Sequence, residues 1–134
     1  MKKLLLAACA LAFMPLVHAD EPAPSVYFIA PMDGATVTSP VTVKFGLKNF
    51  GVAPAGSDVA NTGHHHLLID APLPTDMTMP IAKDANHVHF GGGQTETTIK
   101  LTPGKHTLQL LMGNYMHIPH NPPIKSKVIT ITVK

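Results

Sequence analysis

Nine histidines occur in a 134-residue chain that has no tryptophan, and seven of them fall into three knots. These are Gly63-His64-His65-His66, His87-Val88-His89 and His117-Ile118-Pro119-His120. Imidazole is the commonest protein metal ligand and the side chain whose unperturbed charge changes between pH 5 and 8. Residues two apart on a strand share a face, so His64 with His66, and His87 with His89, each form a candidate chelating pair. His117 and His120 flank Ile118-Pro119, where the proline restricts the loop and favours a fixed site. The candidate metal ligands are therefore His64, His66, His87, His89, His117 and His120. His65 faces away from its two neighbours and reads as structural. Tyr115 and Met116 offer a nearby hydroxyl and a soft thioether. Met77-Thr78-Met79 has the form of a Cu(I)-binding pair, but methionine in a proline-rich loop more often fills gaps.

The elements that must position these groups read as strands. Apolar and β-branched residues are expected to form them at 26–30, 37–47, 65–70, 94–101, 106–112 and 124–133. The stretch 71–86 carries Pro72, Pro74 and Pro80 and can hold at most a short edge strand, placed near 80–86. Short strands at about ten-residue spacing predict an all-β fold, a single immunoglobulin-like antiparallel sandwich of about seven strands. In antiparallel order, the connections holding all three knots fall at one end of that sandwich. His106 falls at the other end, in the turn Leu101-Thr102-Pro103-Gly104-Lys105-His106, and is expected to be a structural corner.

Residues 1–19 have the form of a signal peptide, with Lys2 and Lys3 before an apolar stretch and Val17-His18-Ala19 at the cleavage site. The run from Leu4 to Val17 is too short to span a membrane as a helix. Leu6-Ala7-Ala8-Cys9 has the layout of a lipoprotein box, but little apolar sequence precedes its cysteine. The expected domain is 20–134, periplasmic or secreted and not inserted in a membrane. Cleavage would remove Cys9, the only cysteine, and with it any disulfide, thiolate ligand or blue-copper centre. It would also remove two of the ten basic residues, leaving eight against eight carboxylates. No basic cluster remains, which argues against nucleic acid as a partner.

Four blocks resemble a bacterial exported family catalogued as domain of unknown function 4399. They are Gly63-His64-His65-His66-Leu67-Leu68-Ile69-Asp70, His89-Phe90-Gly91-Gly92-Gly93-Gln94-Thr95-Glu96-Thr97, Pro103-Gly104-Lys105-His106-Thr107-Leu108-Gln109-Leu110 and His117-Ile118-Pro119-His120-Asn121-Pro122-Pro123. The resemblance implies export and a single domain, and it assigns no ligand.

A nitrogen-rich site without thiolate suits Cu(II) or Zn(II), with copper the tighter by intrinsic affinity. The expected function is metal binding and handling, with the ion as partner and a periplasmic protein as a second. Two other readings stand beside it. One is a metal-free module that binds a protein or sugar and uses the histidines as a structural network. The other is a metal-dependent enzyme, for which Glu96 is the nearest candidate base.

Overall fold

The computed structural model describes residues 20–134, so the expected leader lies outside the described residues. The strands are β1 (Ser25–Ala30), β2 (Thr36–Val37), β3 (Val41–Lys48), β4 (Gly51–Val52), β5 (Thr62–Ile69), β6 (His87–His89), β7 (Glu96–Ile99), β8 (Gly104–Gly113) and β9 (Ile129–Val133). They build a three-stranded sheet in the order β1-β3-β7 and a six-stranded sheet in the order β2-β9-β8-β5-β4, with β6 also paired to β5. The two short pairings β2–β9 and β4–β5 are parallel, and the other ladders are antiparallel. The fold is all-β, as the alternation predicts.

Several boundaries differ from that reading, and the three largest differences each have a local reason. The segment 37–47 is broken around Ser39-Pro40, where proline has no N–H for a ladder; β2 joins β9 while β3 joins β1 and β7. No strand occupies 80–86. The strand lies one step later at His87–His89, entered by a bridge between Asp84 and His87. The last strand begins at Ile129, although Ile124 and Ser126 still exchange backbone hydrogen bonds with Met112 and Leu110.

β5 is the element that matters for the site. Every residue from Gly63 to Ile69 is buried, which requires both faces of this strand to be covered. Leu67 and Ile69 face the intersheet core with Val43, Phe45, Leu108, Leu110 and Met112. His65 points the same way, with its ring 5.0 Å from that of Phe45. Leu68 turns to the outer face, where it packs with Leu111 beneath Ile81, Leu73 and Ala71. The proline-rich stretch after β5 is thus a cover folded across the outer face of the six-stranded sheet.

At the far end of β5, Asp70 adopts a positive φ of 51°. Its carboxylate accepts the Thr107 amide and one ring N–H of His106 at 2.6 Å, and the other ring N–H donates to the Thr102 carbonyl at 2.8 Å. Both ring nitrogens face acceptors, an arrangement that favours the imidazolium. The Asp70 hydrogen bond first, and then Thr102, raise the His106 pKa above its ordinary value. A raised folded-state pKa contributes stability below the unfolded value of about 6.5, and that contribution fades as pH rises through the folded pKa. His106→Ala should therefore cost about 1–3 kcal/mol at pH 5.5 and less at pH 9. Denaturant unfolding at both pH values checks this, and an equal loss at each would contradict it.

Candidate metal centre

The register of β5 with its neighbours builds the site. His64 stands opposite Gly113 and His66 opposite Leu111 on β8. On the other edge of β5, His66 stands opposite His89 of β6. Directly opposed residues share a face, so His64, His66 and His89 all project onto the outer face, below the cover. The fourth group comes from the turn after β8. The Asn114 side-chain carbonyl accepts the amides of Met116 and Ile118, and the Asn114 amide donates to the Ile118 carbonyl. This knot holds His117 at a positive φ of 66°, a conformation that aims its ring back over the sheet.

Together His64, His66, His89 and His117 offer ligand atoms that all lie within 4.8 Å of one another. His66 Nε2 is 3.0 Å from His64 Nε2, which is 3.1 Å from His117 Nδ1. Nitrogens about 2.0–2.1 Å from a tetrahedral ion are about 3.3 Å apart, and their ring centres are about 5 Å apart. All six ring-centre distances among the four imidazoles fall between 4.6 and 6.1 Å. The arrangement closes around a point of ionic size.

Hydrogen bonding alone does not resolve this contact. A neutral imidazole nitrogen carries either one proton or one lone pair, yet His64 Nε2 faces two other ring nitrogens. A cation that accepts all the lone pairs at once removes the conflict. Among the described residues, the buried side-chain N and O atoms without a partner are all histidine nitrogens: His64 Nδ1, both of His65, and one each of His66, His89 and His120. The Nδ1 atoms of His64 and His66 thus lack the outer acceptor that usually orients a ligating histidine. Backbone register and packing orient these rings instead.

Two glycines make the space. A Cβ at Gly113 would stand 2.8 Å from His66 Nε2, and one at Gly91 would stand 2.4 Å from His89 Cε1. A side chain at either place would push an imidazole out of the cluster.

Of the six candidate ligands, the structure brings four together and leaves two apart. His87 shares the outer face with His89 but stands opposite Leu68, one step farther from the cluster, and its Nδ1 lies 2.8 Å from Asp84 Oδ1. His120 turns to the other side of β5. Its ring packs edge-on against Phe50 at 4.9 Å, and its Nε2 sits 2.7 Å from where a Gly63 Cβ would be. The cluster also lies elsewhere than a loop-end reading implies: on the outer face of one sheet, roofed by the 70–86 segment. Sequence reasoning did not find that roof or the role of Gly113. Glu96, the candidate base, is exposed on β7 in the other sheet, and the cluster contains no carboxylate.

Burial sets the protonation state. It is the largest cause lowering the pKa of His64 to about 4 and of His66 to about 3, and neighbouring imidazoles lower both further. Burial also lowers His65 to about 4, and the Gln94 backbone, which stops short of hydrogen-bond geometry, only partly offsets it. His89 and His120 shift downward as well, for the same first reason. These shifts favour the neutral imidazole, whose lone pair is available to a ligand.

The family model described as Domain of unknown function (DUF4399) matches residues 43–134. The chain belongs to this family. Its matched region spans β3 to the end of β9 and includes all four clustered histidines. No curated protein and no solved structure matches significantly.

A histidine whose pKa is lower in the folded state protonates preferentially on unfolding. The metal-free protein should therefore lose stability as pH falls from about 6.5 toward about 4, the interval between unfolded and folded values. Calorimetric melting of metal-free protein across this range should show a progressive fall in Tm. A Tm unchanged between pH 7 and pH 5 would contradict the buried, neutral cluster.

Proposed function

We propose that this protein is an exported transition-metal-binding protein that handles copper or zinc, with His64, His66, His89 and His117 as the ligands. The convergence of four imidazoles within 4.8 Å is the observation that carries the reading. Four imidazole nitrogen donors suit Cu(II) and Zn(II), and the intrinsic order of affinities favours Cu(II). The leader-like first nineteen residues support a periplasmic or secreted location, where a protein meets external metal. With no carboxylate in the cluster to act as a general base, binding and handling are favoured over hydrolysis.

Titration of metal-free protein with Cu(II) or Zn(II) in a calorimeter should give about one ion per chain, tighter than about 10 μM, or about −7 kcal/mol. His66→Ala or His89→Ala should weaken binding at least about tenfold, since each removes one of the four donors. His87→Ala and His120→Ala should bind as the parent does. Absence of binding tighter than about 10 μM, or a loss that follows His87 instead of His89, would contradict the assignment.

A further inference from the structure

The four imidazoles do not close the centre equally on all sides. A cavity of about 150 Å³ opens beside them, lined by His66, His89 and His117 together with Pro80, Ile81 and Lys83. His64 does not line it. Four ligands at the corners of a tetrahedron leave four faces, and the face bounded by His66, His89 and His117 is the one opposite His64. A small ligand entering this cavity therefore meets a bound ion on the side away from His64. A ligand there would add one donor to the four imidazoles of a loaded centre.

The walls of the cavity indicate what would enter. Pro80 and Ile81 are apolar, and Ile81 is buried, so the effective dielectric there is lower than in bulk water. Lys83 is the one cationic side chain in the lining. A bound divalent ion and the Lys83 ammonium would place two positive centres on one small space. The 70–86 cover is fixed to the His117 turn by the Ile81 amide, which donates to the His117 carbonyl at 2.9 Å. Lys83, two residues farther along and exposed, lines the same cavity as three of the ligands.

We propose that the loaded centre takes a small inorganic anion as an additional metal ligand, admitted through this cavity and held there by Lys83. The inference rests on the four-histidine metal reading and adds to it an open coordination face with anion selectivity. The cavity volume limits the occupant to a few heavy atoms, the size of azide, halide or bicarbonate.

Azide is the probe, because its bond to Cu(II) produces a charge-transfer absorption that neither partner shows alone. Protein is loaded with one equivalent of Cu(II) in chloride-free buffer, and its copper content and paramagnetic resonance spectrum are recorded before azide is added. Azide should then bring up a saturable charge-transfer band and change the resonance spectrum. In Lys83→Met, which keeps the aliphatic stem and removes the charge, copper content and the azide-free spectrum should be unchanged. Azide binding should be about tenfold weaker in that variant and should lose most of its dependence on ionic strength. A copper-loaded protein whose spectra ignore azide would overturn the proposal and leave the metal site standing. Equal azide affinity in Lys83→Met would overturn the role given to Lys83. A protein that does not load copper or zinc at all would overturn both.

Discussion

The pairing of β5 with β8 sets everything else in place, because it decides which histidines look outward. In the observed register His64 stands opposite Gly113 and His66 opposite Leu111. Side chains alternate along a strand, so a slip of one residue would turn His64 and His66 into the intersheet core and put His65 outside. The apolar pattern forbids the slip. Leu67 and Ile69 join Leu108, Leu110 and Met112 between the sheets, while Leu68 and Leu111 meet the cover outside. Residues that contribute no ligand atom therefore fix it.

The same design explains how so many imidazoles come to be buried. An outer sheet face is normally wet, and histidines there would titrate near their ordinary value. Here Ile81 and Leu73 roof the face, and desolvation lowers the pKa of His64, His66 and His89. An unsatisfied buried polar group costs on the order of 1–3 kcal/mol, and such groups are concentrated in and around this one place. The fold carries that cost in exchange for nitrogen lone pairs that already converge. The four imidazoles already converge, so a bound cation would leave few side chains to order. His106 shows the contrary case in the same molecule. With a carboxylate and a carbonyl as partners its pKa is raised, and it serves the corner at the opposite end of β5 and β8.

Much of this was legible in the sequence, for identifiable reasons. Period-two alternation marked the strands and the fold class, and the i, i+2 spacing correctly placed His64 with His66 on one face. The turn around Pro103-Gly104 marked His106 as a corner. Features decided by turn geometry or by contacts distant in the chain could not be reached that way. Asp84 holds His87, and its role depends on the local turn before β6. Ile118-Pro119 lets His117 and His120 emerge on opposite sides of β5, which spacing alone does not reveal. The proline-rich 71–86 segment reads as a loop with a short edge strand, yet its apolar residues form a second small core. Gly113 looks like an ordinary strand end until the register puts His66 beside it.

X-ray absorption of the protein loaded with one equivalent of Zn(II), in buffer free of coordinating anions, addresses the four-imidazole centre most directly. The account predicts an inner shell of four nitrogens at about 2.0–2.1 Å, with the outer-shell scattering of imidazole rings. Substitution of His117 should remove one ring from that pattern. An inner shell dominated by oxygen, or one holding two imidazoles or fewer, would contradict it.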